Sequence, residues 1–247
     1  MSLETLAGIL LITNIITLIC LLIVLLYCKI PSKIIRKIIE PRHGKEKFLK
    51  SINKKGTLLD VGCGNNSPYY IKSKFPSIKY TGIDIGDYNQ AYPNLADNYI
   101  ITTPEEFADK IAEFENYFDT IISSHNLEHC NDRNKTLDSI IKALKSGGRL
   151  FLSFPTEKSI NFPERKGTLN YYDDNSHKHY PPNFDEVIKK LKNNNMKIVY
   201  ANKSYKPLFY YIIGFFMEKK SKREKKVWYP NWAYWGFEAI IWARKNI

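Results

Sequence analysis

Residues 57–67 read TLLDVGCGNNS, and this stretch decides how the rest of the chain is interpreted. Apolar and β-prone residues surround Asp60, and two glycines then follow with one residue between them. This pattern predicts a buried strand that ends in a tight turn. A packed core does not need such a turn, but a ligand does, because glycine has no Cβ and lets the backbone approach a bound molecule.

Short apolar runs alternate with helical patterns on both sides of this turn. The predicted strands are TLLDVG, IKYTGIDIG, NYIIT, FDTIISSH, RLFLSFP, MKIVYANKS and FEAIIWARK. The predicted helices are residues 32–50, NNSPYYIKSKF, PEEFADKIAEF with its proline in the first turn, LEHCNDRNKTLDSIIKALKSGG and NFDEVIKKLKNNN. Residues 156–182 are expected to form a loop. The alternation predicts βαβ units and a doubly wound α/β fold with a mostly parallel sheet.

Gly62, Gly64 and Asp84 together indicate a nucleoside. Ligands of open parallel sheets bind beyond the carboxyl ends of the strands, and Asp84 ends the second predicted strand, 22 residues after Gly62. An acid at that place accepts hydrogen bonds from ribose hydroxyls. The turn has no third glycine, and Asp60 would repel a pyrophosphate but attract a cationic ligand. The combination favours S-adenosylmethionine over NAD.

The chain resembles the class I S-adenosylmethionine-dependent methyltransferases. The resemblance rests on four segments in the family's order and spacing: LLDVGCG (58–64), IDIG (83–86), FDTIISSHNLEH (118–129) and LKSGGRLFLSFP (144–155). It covers residues 57–155 well and 177–247 loosely. It implies a Rossmann-like seven-stranded sheet, S-adenosylmethionine as the cofactor and methyl transfer as the reaction.

The resemblance also implies which residues bind the cofactor. The methionine part is expected to contact Asp60, Gly62, Cys63 and Gly64, and the ribose to contact Asp84, with Ile85 beside it. Ser124, His125 and Asn126 are expected to line the cofactor or the reaction centre. Glu105, in the segment TTPEEF, is the candidate that faces adenine.

Three histidines are the candidates for catalysis: His129, His177 and His179. Histidine is the usual general base near neutral pH. His125 and His129 follow the fourth predicted strand four residues apart, so they share a face if a helix has already begun there. His177 and His179 lie in the loop after the fifth strand. Core packing is the favoured alternative for His129, and a structural loop is the alternative for the other two.

A metal site is a further alternative. Glu128, His129 and one of His177 or His179 could converge on a divalent cation, which looks similar to the small-RNA 2′-O-methyltransferases. That family has another Glu where this chain has His125, and the interpretation without a metal is favoured.

The N-terminal segment predicts a membrane anchor, assigned to residues 1–30. Residues 5–28 carry no charge, and roughly 20 helical residues cross a bilayer. A cleaved signal expects a basic start and a shorter apolar stretch, and a buried soluble helix is the other alternative. Residues 29–55 hold ten Lys or Arg against two Glu, so a basic juxtamembrane helix is assigned to residues 31–55. Basic flanks stay cytoplasmic, which places the methyltransferase domain, residues 56–247, inside the cell.

The net charge of +12 is concentrated outside the central region. Residues 203–226 hold eight Lys or Arg against two Glu, whereas residues 56–202 are close to neutral. The aromatic and basic segment 205–237 is therefore expected to be an insertion that touches anionic lipid, since Trp and Tyr favour membrane interfaces. An aromatic lid or a dimer face is the alternative. The distribution argues against nucleic acid as a partner.

These features predict a membrane-bound, single-pass methyltransferase that acts at the cytoplasmic face. The leading acceptor is a hydroxyl of a lipid-linked glycan or lipid. The alternatives are a quinone or another isoprenoid, an RNA, or a non-catalytic protein with a degenerate fold. The sequence does not indicate an oligomeric state.

Overall fold

The computed structural model describes Gly8 and residues 40–64, 66–87 and 92–247. The predicted membrane span therefore lies outside the described residues, apart from Gly8. Within the described ranges, no helix combines the length and apolar character that a bilayer crossing requires. Residues 41–247 form one compact unit.

Seven strands of the described chain form one sheet. They are β1 (Thr57–Val61), β2 (Lys79–Asp84), β3 (Asn98–Ile101), β4 (Phe118–Ser124), β5 (Leu144–Pro155), β6 (Met196–Asn202) and β7 (Glu238–Lys245). Their order is β3-β2-β1-β4-β5-β7-β6. The first five pair in parallel, and β7 is antiparallel to both β5 and β6. The predicted doubly wound α/β sheet is confirmed, and its strand order reverses between β1 and β4, where such sheets bind ligands.

Helices cover both faces of the sheet. In chain order they are α1 (Lys45–Ser51), α2 (Ser67–Lys74), α3 (Phe107–Ala112), α4 (Arg133–Ala143), α5 (Phe184–Asn193), α6 (Leu208–Glu224) and α7 (Tyr229–Trp235). Apolar residues of α3, α4 and α5 pack on one face of the sheet. Those of α1 and α2 pack on the other. The two layers hold the carboxyl ends of β1, β2 and β4 at one edge.

Only the second part of the helix predicted at residues 32–50 is described, and there the helix starts later than predicted. Residues 40–44 form a bend and turn, and α1 begins only at Lys45. Pro41 explains the late start, because the residue before a proline is disfavoured in the helical region. Phe48 and Leu49 of α1 are fully buried against the sheet, so this helix shares the core of the domain that was predicted to begin at residue 56.

The predicted helix at residues 127–148 is wrong as a single element. It is replaced by a short 3₁₀ turn (Leu127–His129), then α4, and then β5. The Asp132 side chain accepts a 2.8 Å hydrogen bond from the Lys135 amide and so starts α4 only at Arg133. At the other end the fully buried Leu144 pairs with β4, so the chain enters the sheet immediately after α4. In the preceding predicted helix, PEEFADKIAEF, the proline is not in the first helical turn, because Pro104 lies in a turn and α3 begins only at Phe107.

The segment predicted as an insertion lies between β6 and β7, as expected. It forms two helices, α6 and α7, which precede the antiparallel strand β7. Gly214 of α6 has no room for a Cβ, which would overlap the Pro230 carbonyl group near the start of α7 and approach Tyr234 near its end. The two helices therefore pack closely through this glycine.

Candidate active site

The turn after β1 is a bend of Gly62, Cys63 and Gly64. Gly62 and Gly64 have φ angles of +71° and +57°, a region that side chains other than glycine rarely occupy. A Cβ on Gly62 would overlap the Asn126 side chain, whereas a Cβ on Gly64 would project into open space. The missing Cβ of Gly62 thus makes room for the side chain of Asn126, which follows the end of β4. At Gly64 no side chain blocks the approach of a ligand.

The Asp84 carboxylate closes this bend from the neighbouring strand. Its Oδ2 accepts a 2.7 Å hydrogen bond from the Gly64 amide, and its Oδ1 accepts one of 2.7 Å from the Ile85 amide. The parallel register of β1 and β2 places Val61 opposite Ile83, which brings the two strand ends side by side. The acid and the glycine bend are therefore joined directly by a hydrogen bond, a contact that the sequence does not predict.

A cavity of about 760 Å³ opens at this edge. Eight predicted site residues line it: Gly62, Gly64, Asp84, Ile85, Glu105, His125, Asn126 and His129. Ten further lining residues were not predicted from the sequence: Pro104, Phe107, Ala108, Cys130, Asn131, Asp132, Lys135, Thr136, Ser176 and Lys178. The N-cap of α4 is a local signal that could have located those between residues 130 and 136, whereas Ser176 and Lys178 belong to a loop that is distant in sequence. The volume is in the usual range for small-molecule sites.

Three predicted cofactor residues do not line this cavity with their side chains. Asp60 is fully buried and accepts hydrogen bonds from the hydroxyls of Ser67 and, at 2.9 Å, Tyr80. The Cys63 sulfur packs against Gly82, and burial raises the pKa of its thiol. The Ser124 hydroxyl pairs with that of Ser153 on β5 at 3.1 Å. Their contacts within the described chain are those of a core that supports the bend.

His125 is held between two carboxylates. Its Nδ1 lies 3.1 Å from Glu128 Oε1, and its Nε2 lies 3.3 Å from Glu238 Oε1. Burial opposes the charged imidazolium, but the hydrogen bond to Glu128 and the neighbouring Glu238 carboxylate outweigh it and raise the pKa of His125 to about 10. We infer a cationic histidine at neutral pH that holds β4 to β7.

The condition under which His125 and His129 would share a helical face is not met. His125 has a φ of +52°, so the chain turns sharply there and no helix has begun. His129 sits instead on the 3₁₀ turn that follows, and its ring lies 4.8 Å from the ring of His177, centroid to centroid. Burial lowers the pKa of His177.

His179 is placed apart from the other catalytic candidates. It has a φ of +55° and is exposed, and it lines a separate cavity of about 500 Å³ between α4 and α5. The structure therefore brings two of the three predicted catalytic histidines together, at the wall of the cavity beside the glycine bend.

The fold and the site define a Rossmann-like nucleoside-binding protein, and comparison with known proteins gives its family. Residues 34–199 match the family described as methyltransferase domain, which is more than half of the chain. The chain belongs to this family and is an S-adenosylmethionine-dependent methyltransferase. S-adenosylmethionine is its methyl donor.

Solved structures share the fold at low sequence identity. An S-adenosylmethionine-dependent methyltransferase from Mesorhizobium loti has a TM-score of 0.53 and 13% identity, over 81% of this chain and 96% of that one. Phosphoethanolamine N-methyltransferase 2 of Haemonchus contortus, in complex with S-adenosyl-L-methionine, has a TM-score of 0.54 and 16% identity, over 82% of this chain and 51% of that one. At such identities the likeness shows the fold alone.

A relative in sequence is Uncharacterized protein MJ0906 of Methanocaldococcus jannaschii. It is 34% identical over 121 residues, which are 46% of this chain and 32% of that protein. The chain thus matches about a third of that relative's length.

The described residues fit S-adenosylmethionine. Asp60 Oδ1 is buried and has no hydrogen-bond partner in the described part of the chain, and Asp60 precedes Gly62 of the bend by two residues. Gly64 and Asp84 both line the cavity, and no side chain at Gly64 blocks the approach of the methionine part. Phe107 supplies an apolar wall beside Glu105, on the side of the cavity expected to hold adenine.

Proposed function

We propose that this methyltransferase acts on a hydroxyl of a lipid-linked glycan at the cytoplasmic face of a membrane. The observation that carries the proposal is an apolar, exposed face on α6. Leu208, Phe215 and Phe216 are 73%, 55% and 60% exposed, and their spacing of seven and eight residues places them on one side of the helix. A cluster of exposed large apolar side chains is typical of a surface that contacts a membrane or a partner.

The same helix continues into a basic cluster. Lys219, Lys220, Lys222 and Arg223 are exposed in its second half. Each basic side chain near an anionic leaflet contributes about 1 kcal/mol of attraction. Lys220 also lies 5.3 Å from the Trp228 ring centroid, so aromatic and basic groups occur together. An apolar face with basic neighbours favours a helix that lies in the membrane interface.

The helix is firmly attached to the catalytic domain on its other side. Arg165 of the loop after β5 makes a bidentate ion pair with Glu218, at 2.6 and 3.0 Å. Trp232 of α7 lies 5.3 Å from the His125 ring, centroid to centroid, and donates a 2.7 Å hydrogen bond to the Thr168 carbonyl. These contacts connect the proposed membrane surface to the wall of the cofactor cavity.

The cavity favours a hydroxyl-rich acceptor. Besides the cofactor-binding residues, it is lined by polar or charged side chains that include Asn131, Lys135, Ser176 and Lys178. Such groups can form hydrogen bonds with the hydroxyls of a sugar. S-adenosylmethionine supplies an activated methyl group when bound. The chain's own part is to orient the acceptor, which can contribute about 7–11 kcal/mol to lowering a barrier.

The proposal includes the N-terminal anchor. Residues 5–28 lie almost wholly outside the described part of the chain, and the anchor is proposed from their uncharged sequence. The basic residues that follow favour a cytoplasmic catalytic domain. An anchor and a second contact on α6 would together keep the cavity near lipid-linked acceptors.

The double variant Phe215→Ser with Phe216→Ser is expected to lose membrane binding. It is made in residues 40–247, so that the predicted anchor does not mask the effect. Removal of two aromatic side chains from the interface should weaken binding to anionic vesicles at least about 10-fold. Flotation with vesicles of phosphatidylglycerol and phosphatidylcholine measures it.

Tyr117→Ser is the matched control, because Tyr117 is also a half-exposed aromatic residue but precedes β4 at the opposite end of the sheet. In a parallel assay, the full chain receives a membrane lipid extract and methyl-labelled S-adenosylmethionine, and label is expected in glycan-bearing lipid. Equal flotation of both variants would contradict the membrane surface. Label confined to quinone would contradict the acceptor class.

A further inference from the structure

A cluster of metal-ligating side chains lies at the wall of the cofactor cavity. One ligand atom each from Glu128, His129 and His177 lie within 4.8 Å of one another. Tetrahedral zinc holds its nitrogen and oxygen ligands roughly 3.3 Å apart, from bond lengths of about 2.0–2.2 Å. Small side-chain movements would therefore bring the three atoms around one ion.

Glu128 presents one unused oxygen to this cluster. Its side chain is 0% exposed. Oε1 accepts from His125 Nδ1, whereas Oε2 is buried without a hydrogen-bond partner among the described residues. An unpartnered buried carboxylate oxygen is costly, and a bound cation would satisfy it.

Both histidines are held with Nε2 available as a ligand. His177 Nδ1 lies 2.5 Å from the Tyr171 carbonyl oxygen. A carbonyl only accepts, so Nδ1 carries the proton and Nε2 carries the lone pair. Ser176 donates its hydroxyl proton to Asp174 at 2.6 Å, and its oxygen then accepts from His129 Nδ1 at 3.0 Å. His129 is thereby left with a lone pair on Nε2 as well.

Supporting hydrogen bonds of this kind are typical of metal-binding histidines, whose second nitrogen usually donates to a carbonyl or a polar side chain. The loop is also fixed to the 3₁₀ turn, because the Lys178 amide donates a 2.8 Å hydrogen bond to the Glu128 carbonyl oxygen. Two separate parts of the chain are therefore held together at this place.

We propose that Glu128, His129 and His177 form a binding site for a divalent first-row cation, such as Zn²⁺. Two histidines and one carboxylate are a known donor set for catalytic zinc and for Fe²⁺. His129 lines the cofactor cavity, so a remaining coordination position faces the space where an acceptor would lie. The use of the ion to hold the acceptor's hydroxyl rests on the proposed function, whereas binding of the ion does not.

The test is metal binding by the full chain, purified in detergent and stripped with a chelator. Calorimetric titration with Zn²⁺, and visible absorption with Co²⁺, should show one ion per chain. His129→Ala and His177→Ala should each weaken Zn²⁺ binding by more than the 10–100-fold that loss of a supporting partner costs. Ser176→Ala should fall within that 10–100-fold range.

His179→Ala is the matched control, because His179 lies two residues from His177 but lines a different cavity. It should bind Zn²⁺ as the wild type does. Circular dichroism of each metal-free variant shows whether it is folded. If His177→Ala is not folded, Glu128→Gln takes its place in the comparison, because glutamine keeps an oxygen that can accept a hydrogen bond from His125. If the wild type bound Zn²⁺ no more tightly than the His129→Ala and Glu128→Gln variants, the proposed site would be wrong. The assay needs neither cofactor nor acceptor, so it can fail while methyl transfer to lipid succeeds.

Discussion

Asp84→Ala is expected to weaken S-adenosylmethionine binding at least about 100-fold. The carboxylate lines the cavity and is held by the amides of Gly64 and Ile85. Hydrogen bonds to a charged group contribute about 1.5–3 kcal/mol each, and the loss of two ribose contacts gives the 100-fold or more. Equilibrium dialysis with labelled S-adenosylmethionine measures the effect.

Asp119→Ala is the matched control for this variant. Asp119 also accepts a backbone hydrogen bond, from the Thr57 amide at 2.8 Å, and pairs with Lys145 at 2.9 Å. It lies near the start of β4, at the opposite end of the sheet from the cavity. Its loss should lower stability and leave cofactor affinity within about 3-fold of the wild type. Equal affinity loss in both variants would show that Asp84 acts only through the fold.

Arg165→Ala is expected to lower the free energy of unfolding by about 3–5 kcal/mol. The Arg165 side chain is 4% exposed and holds Glu218 and the Ser221 hydroxyl. Its removal leaves the Glu218 carboxylate largely buried, and the hydrogen-bond donors that remain to it among the described residues are neutral, such as Trp235 Nε1 at 3.2 Å. Urea unfolding, followed by tryptophan fluorescence and by circular dichroism, measures the change.

The control for Arg165 is an exposed ion pair. Lys110 and Glu113 lie 2.9 Å apart on the surface at the end of α3, and such pairs contribute about 0–1 kcal/mol. Lys110→Ala should therefore change stability little. All four tryptophans lie between residues 228 and 242, so fluorescence reports the region around α7. A fluorescence change at lower urea than the circular dichroism change would indicate that α6 and α7 detach first.

The sheet and the cofactor bend could be predicted because their signals are local. Strand, glycine turn and terminal acid follow one another within 28 residues, from Thr57 to Asp84. A parallel sheet then brings the strand ends together whatever the rest of the chain does. Gly62 and Asp84 therefore lie where the sequence places them.

The remaining positions depend on tertiary contacts that no local pattern shows. Residues other than glycine rarely adopt a left-handed backbone conformation. The turn at His125 could therefore not be anticipated from the four-residue spacing of His125 and His129. Leu144 leaves α4 because it pairs with β4, although its neighbours favour a longer helix. Ser176 reaches the cavity because the loop is tied to Glu128 through the Lys178 amide.

The central claim is that an adenosyl sulfonium compound binds across the bend of Gly62 and Gly64, with its ribose on Asp84. Isothermal titration calorimetry of the detergent-purified full chain tests it most directly, with S-adenosylmethionine, S-adenosylhomocysteine and NAD as ligands. The account predicts one binding site for each of the first two compounds and no measurable heat with NAD. Tight binding of NAD, or of another nucleotide, without heat from either adenosyl compound would contradict it.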